Sequence, residues 1–189
     1  MRIISGDLRG RKFSGAIPNG TRPTADNVRE TIFNVLANYF DLQGALVLDL
    51  CAGTGAFGFE ALSRGAEHIT LVDKNRKATE YIAKAAENFK IDDEQISIKT
   101  ADAVTFLKRY AAQQDAEQFD LIFTDPPYNL KIVNQINASI VELDLLKPGG
   151  IMIAEHGFDE AVDIPKGWTK LTEKTWPGKK LEVFEKDEA

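Results

Sequence analysis

Cysteine is nearly absent. Cys51 is the only one in 189 residues, so no internal disulfide can form, and a lone cysteine argues against a structural zinc site. No apolar run reaches the roughly 18 to 20 residues that cross a bilayer. The opening Met1-Arg2-Ile3-Ile4-Ser5-Gly6 has no apolar core of the kind a signal peptide carries. These absences lead us to expect a cytoplasmic protein, off the membrane and without a resident metal, working as a monomer. What is present is ordinary for a globular chain: 43 % hydrophobic and 28 % charged residues, enough to bury a core without cross-links. One domain, 1–189, is expected.

An excess of positive charge is also missing. The net charge is −6, which by itself argues against a nucleic-acid partner. The distribution is uneven, however. Residues 1–29 hold Arg2, Arg9, Arg11, Lys12, Arg22 and Arg29 against Asp7 and Asp26, a balance of +4, which leaves −10 for the other 160 residues. Such a segment is either a solvated tail or a basic arm that meets phosphates locally.

There are no repeats and no low-complexity linkers. Residues 1–23, rich in Gly and Arg and broken by Pro18-Asn19-Gly20, predict an extended or hairpin arm. Thr24 is the expected N-cap of a helix whose face is Val28, Ile32, Val35, Leu36 and Tyr39. Strands and helices then alternate: strands over 45–50, 69–72, 95–100, 119–124 and 151–155, helices over 56–64, 75–89, 103–112 and 133–146. That alternation predicts a mostly parallel sheet with helices on both faces. Residues 168–176 and 180–186, joined around Pro177-Gly178, leave no room for a crossover helix and predict an antiparallel hairpin. The fold class is therefore α/β, the Rossmann-like, seven-stranded sheet of the class I methyltransferases.

The run Val47-Leu48-Asp49-Leu50-Cys51-Ala52-Gly53-Thr54-Gly55-Ala56-Phe57-Gly58 is a strand, a glycine-rich turn and a helix start. Gly53, Gly55 and Gly58 satisfy G-x-G-x-x-G, and Asp73 follows Gly53 by 20 residues. This is equally a dinucleotide fingerprint, so the glycines do not choose between NAD and S-adenosylmethionine. Asp49 favours the second. A carboxylate at that strand end repels a pyrophosphate and attracts an ammonium and a sulfonium. Cys51, Ala52, Gly53, Thr54 and Gly55 would form the binding turn, with Cys51 a small packing residue rather than a nucleophile. Asp73, followed by Lys74, would accept from the ribose hydroxyls, and Asp102-Ala103 would meet the adenine edge.

The fourth strand runs into Asp125-Pro126-Pro127-Tyr128. Two prolines cannot continue a central strand, so the chain leaves the sheet as a stiff loop beside the cofactor crevice. An exocyclic amine on a base is a poor nucleophile because its lone pair is delocalised. Asp125 and the Pro126 carbonyl can each accept one of its N–H groups and aim the lone pair at a methyl donor. Proline has no N–H to compete, Pro127 stiffens the loop, and the Tyr128 ring offers a face for an extruded base. The carboxylate of Asp125 also lies within expected reach of the cofactor.

Four blocks in order and at family spacing resemble the RsmD family. They are Arg2-Ile3-Ile4-Ser5-Gly6 with Leu8-Arg9-Gly10-Arg11-Lys12, and Arg22-Pro23-Thr24 with Val28-Arg29-Glu30-Thr31-Ile32-Phe33-Asn34. The others are the 47–55 turn with Phe59-Glu60-Ala61-Leu62-Ser63-Arg64-Gly65-Ala66, and Asp125-Pro126-Pro127-Tyr128. The resemblance implies methylation of a guanine N2 amine in bacterial 16S rRNA, on the small ribosomal subunit or its assembly intermediate. It implies that residues 24–189 are the catalytic core and that Thr24 lines the cofactor's methionine end. Arg9, Arg11, Lys12, Arg22 and Arg29 would engage RNA. Asp73 stands where the family often has glutamate, and Tyr128 where it often has phenylalanine. The tyrosine makes the motif identical to that of DNA adenine-N6 enzymes, the second reading; 189 residues leave no separate domain to read a duplex. A NAD-dependent dehydrogenase and a non-catalytic RNA-binding protein are the remaining alternatives. His68 and His156, without paired ligands, are expected to be structural, and Trp168 and Trp176 to cap the core.

Overall fold

The computed structural model describes residues 1–19, 21 and 25–188. Arg22 and Thr24 therefore lie outside the described residues. Among those described there are seven strands, forming a mixed sheet, and five α-helices. The chain divides into two compact units, Met1–Ala101 and Asp102–Ala189.

The first unit holds α1 (Asp26–Leu36), β1 (Leu46–Leu50), α2 (Ala56–Ser63), β2 (His68–Asp73), α3 (Arg76–Phe89) and β3 (Ile96–Thr100). Its strands are parallel in the order β3-β2-β1, with Leu46 opposite His68 and Ile69 opposite Ile96. Val47, Leu48 and Leu50 of β1 and Ile69, Leu71 and Val72 of β2 are fully buried. These near-continuous apolar runs are what a parallel sheet covered on its faces requires. Every residue of α2 is buried. A helix that is apolar nearly all round has no solvent face to offer. The single charged member of that helix, Glu60, is 0 % exposed.

Glu60 fastens the amino-terminal segment to α2. Residues 1–13 form a hairpin in which the Ile3 amide donates to the Arg11 carbonyl at 3.0 Å and the Phe13 amide to the Met1 carbonyl at 2.9 Å. The Glu60 carboxylate accepts the amides of Ile4 (2.8 Å) and Ser5 (3.0 Å) and the Arg64 guanidinium (2.9 Å), with Arg29 Nε 3.6 Å away. Ser63 adds a hydroxyl bond to the Ser5 carbonyl at 2.5 Å and accepts the Leu8 amide at 3.0 Å. The approach is so close that a Cβ on Gly6, at φ +79°, would fall 1.6 Å from the Ser63 carbonyl oxygen. Residues 1–13 of the segment expected as an extended or hairpin arm thus form a hairpin that is docked against α2.

Helix α1 departs from expectation. Its N-cap is Ala25, without a side-chain cap bond, instead of the start at Thr24. Its buried face is Val28, Arg29, Ile32, Phe33 and Leu36. Val35 is only half-buried, and Tyr39 lies beyond the helix and is exposed. The face is turned because Phe33 stacks on Phe57 of α2, ring centroids 4.8 Å apart, beneath the Arg64 guanidinium.

The second unit holds α4 (Ala103–Ala111), β4 (Phe119–Thr124), α5 (Val133–Glu142), β5 (Leu146–Gly157), β6 (Trp168–Trp176) and β7 (Lys179–Lys186). The strand order is β4-β5-β7-β6, with β4 and β5 parallel and the last two antiparallel. The predicted terminal hairpin is thus found. Helix α5 stops at Glu142, four residues short of the expected end, because Asp144 adopts φ +52° and Leu146 already pairs with Phe119. Between Leu146 and Ile151 the ladder skips Lys147-Pro148-Gly149-Gly150 as one bulge.

A buried carboxylate with four partners is costly to lose, because each partner is left unsatisfied. Glu60→Ala should destabilise the protein by about 3–5 kcal/mol. Denaturant unfolding measures it, and amide exchange should show residues 3–8 losing protection first. A loss under about 1 kcal/mol would mean the hairpin is held by other contacts.

Candidate active site

In the first unit the glycine-rich turn follows β1. Three of five consecutive residues need a left-handed backbone: Cys51 (φ +62°), Gly53 (+57°) and Gly55 (+72°). Glycine takes that conformation without strain; Cys51 does so at a cost, which places strain at the tip of β1. Space restricts Gly58, and Gly55 as well. A Cβ on Gly58 would sit 2.8 Å from Leu71 Cδ2, and one on Gly55 within 3.1 Å of Ile82 and Phe59 side chains. The side chain of Thr21 stands over Gly53, 3.2 Å from where its Cβ would be.

Two carboxylates hold this turn. Asp73 Oδ2 accepts the Gly53 amide at 2.8 Å, and its Oδ1 accepts the Asn75 amide at 2.8 Å. Asp49 Oδ2 accepts the Gly58 amide, in the first turn of α2, at 3.1 Å. Asp49 is only 1 % exposed, and its Oδ1 has no hydrogen-bond partner. At the end of β1 it lies buried beneath the turn. Burial pushes its carboxyl from 3.8 to about 8, the Gly58 bond partly opposing and the negative charge of Asp73 adding to the rise. The amides of Ala52 and Gly55 are also committed, to the carbonyls of Val72 and Ala52. A pyrophosphate needs free amides at such a turn, and here it would meet spent amides and two carboxylates. Lys74 follows Asp73 at the start of the loop into α3 and is exposed.

In the second unit, Asp102 caps α4 by accepting the Thr105 amide at 3.1 Å, and Ala103 is buried behind it. Asp125, Pro126 and Pro127 leave β4 as irregular chain, Pro126 buried and Pro127 exposed, and a 3-10 turn spans Tyr128–Leu130. The loop is tied to the segment after β5. Lys131 pairs with Asp159 at 3.2 Å, the Val133 amide reaches Glu160 at 3.3 Å, and Asn134 bonds the Ala161 carbonyl at 2.8 Å. The Tyr128 hydroxyl donates to Glu155 Oε1 at 2.5 Å. Nothing in the pattern of residues 146–157 distinguished Glu155 from a solvated charge; only the burial of the strand end does.

Of the basic residues expected at RNA, Arg9 and Lys12 are exposed on the hairpin. Arg11 is exposed too but donates to the Phe89 carbonyl at the end of α3. Arg29, also expected at RNA, is interior. It is 2 % exposed, and its guanidinium bonds the Arg2 carbonyl at 2.5 Å and Asp26 at 3.0 Å. Both histidines are structural: His68 Nδ1 lies 2.8 Å from the Glu94 carbonyl and buried His156 Nδ1 2.9 Å from that of Gly157. Among the described residues no group of three or more His, Cys, Asp or Glu is placed to hold a metal ion, and no helix is long and apolar enough to cross a membrane.

Comparison with known proteins agrees with this architecture. The profile of the family described as "Conserved hypothetical protein 95" matches residues 1–185. "Ribosomal RNA small subunit methyltransferase D" of Haemophilus influenzae is 35 % identical over 93 % of this chain and 88 % of its own length. The protein of that name from Escherichia coli is 31 % identical over 92 % and 84 %. The solved structure of the yhhF protein of Escherichia coli superposes with a TM-score of 0.84 at 28 % identity, over 100 % of this chain and 99 % of that one.

The raised Asp49 carboxyl has a consequence for stability. Unfolded, it ionises near 3.8; folded, near 8. Between those values the folded state holds the extra proton, so stability falls as pH rises through the window. Asp49→Asn removes the penalty and should raise Tm at pH 9 by about 3 °C or more, with little change at pH 4. The same variant should bind a sulfonium ligand less well. A Tm difference that does not depend on pH would show that Asp49 is ionised throughout.

Proposed function

The chain belongs to the RsmD family of methyltransferases, and from that premise we propose that it methylates the exocyclic N2 amine of a guanine in 16S rRNA. The substrate is the small ribosomal subunit or its assembly intermediate in the cytoplasm. The observation that carries the reading is the Asp125-Pro126-Pro127-Tyr128 loop at the end of β4, with no backbone N–H at two of its four positions.

The methyl donor of the family is S-adenosylmethionine, which when bound supplies an electrophilic methyl on a sulfonium. The residues fit it. Asp49 has a buried oxygen without a partner for the cationic methionine end. Within the Cys51 to Gly55 turn, Gly53 and Gly55 let backbone approach without a Cβ. Asp73 retains lone pairs for ribose hydroxyls, and Asp102-Ala103 are assigned to the adenine. Asp125 and the Pro126 carbonyl accept the two N–H groups of the amine, which turns its lone pair out of the ring plane. The Asp125 carboxylate would stabilise the positive charge that develops on the nitrogen as it takes the methyl and the methyl–sulfur bond of the donor breaks, and would accept the proton that the nitrogen then releases. Tyr128 holds the base by its face. Arg9 and Lys12 meet phosphates from the exposed side of the hairpin, with Arg11 beside them.

Small subunits lacking the modification, incubated with protein and methyl donor, should yield N2-methylguanosine on nucleoside mass spectrometry. N6-methyladenosine alone, or efficient methylation of naked duplex DNA, would replace the proposal with the adenine reading. Asp125→Ala should lower kcat by on the order of 10²–10³-fold with RNA affinity retained. For the hairpin, Arg9→Ala with Lys12→Ala should weaken RNA binding and flatten its dependence on log salt by about 1–2. An unchanged slope would place the RNA elsewhere.

A further inference from the structure

The Tyr128 hydroxyl is idle in the reaction described above, since a phenylalanine would offer a base the same face. The structure gives it a partner. Glu155, near the end of β5, is 1 % exposed and accepts the hydroxyl on Oε1. The same oxygen accepts Lys179 Nζ at 2.7 Å, while Oε2 is buried without a hydrogen-bond partner. Lys179 opens β7, where it pairs with Gly157 of β5 and Trp176 of β6, and its ammonium stands 5.4 Å from the Trp176 ring centroid. The other end of the tyrosine is gripped as well, because a Cβ on Gly157 would lie 3.2 Å from Tyr128 Cβ.

For stability alone this arrangement is poor. A carboxylate taken out of water with one oxygen unsatisfied costs more than a well-packed apolar pair in the same space. What it supplies is direction. An apolar pocket holds an aromatic ring but lets it tilt and slide, whereas an O–H···O⁻ bond at the para position, with the Cβ held against a glycine, fixes both χ angles. A ring so held is a pre-set stacking surface, and displacement of a bound base by about 1 Å is enough to lower a rate on the order of 10²-fold.

We infer that Glu155, with Lys179 as its counter-charge, is a positioning residue for methyl transfer that acts through the Tyr128 hydroxyl to set the ring on which the target base stacks. This rests on Tyr128 being the stacking ring, as proposed above.

Because Glu155 acts only through that hydroxyl, its effect must vanish once the hydroxyl is gone. Steady-state methylation by wild type, Tyr128→Phe, Glu155→Leu and the double variant tests this, alongside the fluorescence of 2-aminopurine placed at the target position of an RNA fragment. Each single variant should lower kcat by about 10-fold with KM for RNA within about 2-fold, and the double variant should be no slower than either. Glu155→Gln, whose amide oxygen still accepts the phenol, should recover most of the rate. The quenching of 2-aminopurine should weaken in the same variants and to the same ceiling. Should Glu155→Leu fail to fold, Glu155→Ala takes its place in the same cycle, again with the double variant no slower than either single one. Losses that add, or single variants with unchanged kcat and unchanged quenching, overturn the inference. If wild type methylates a different base amine, the guanine assignment fails while the same cycle still decides this one. If it methylates nothing, the quenching series alone decides it.

Discussion

A single buried carboxylate, that of Glu60, organises the first unit. It sits in the middle of α2, the helix that starts at the glycine turn, and it receives two backbone amides of the hairpin and one guanidinium. The Arg29 guanidinium, 3.6 Å away, brings α1 to the same point. With Asp49 on the amide of Gly58 in the first turn, α2 is held at its start and at its centre. The turn it carries has two left-handed glycines and a left-handed cysteine, a conformation that persists only where the surroundings over-determine it. Remove the Glu60 clamp and α2, the helix that follows the turn, loses one of its two anchors.

The two units use the same device for different loops. In the first, Asp49 and Asp73 each spend an oxygen on an amide of the turn or its helix; in the second, Glu155 spends one on Tyr128. Asp49 and Glu155 also keep a second oxygen buried and unpartnered. Apolar packing would hold the same backbone more cheaply but less uniquely. Departures of this kind from the best local choice gather where geometry matters to function.

The alternation of apolar strands and amphipathic helices was legible because burial on two faces leaves few polar positions in a parallel strand. β4 and β6 begin and end where their apolar and turn residues predict. The end of α5 was not, since Leu143, Leu145 and Leu146 continue an apolar pattern that only the left-handed Asp144 interrupts. Side-chain roles were harder. The glycine turn and the tetrapeptide announce themselves through residues that constrain backbone, which is a local property. Glu60, Arg29 and Glu155 do not, because a lone charge in a sequence reads as solvated and its burial depends on partners 27 to 56 residues away. Asp102 and Asn75 are likewise helix caps whose signal is weak until the helix start is known.

The docking of the hairpin also changes how the basic segment can work. Its charge excess looks like a flexible arm that gathers RNA by electrostatics alone. Arg29, however, is interior, Arg2 is paired with Asp26, and Arg11 is turned toward the carboxyl end of α3. The charge left outward on the hairpin is smaller than the count in residues 1–29, but it is fixed to the helix that carries the glycine turn. A flexible arm gains on-rate and pays ordering entropy on binding. A rigid hairpin forgoes the reach and presents Arg9 and Lys12 at a set place relative to that turn, so in the proposed reading phosphate contacts would serve as register as much as affinity.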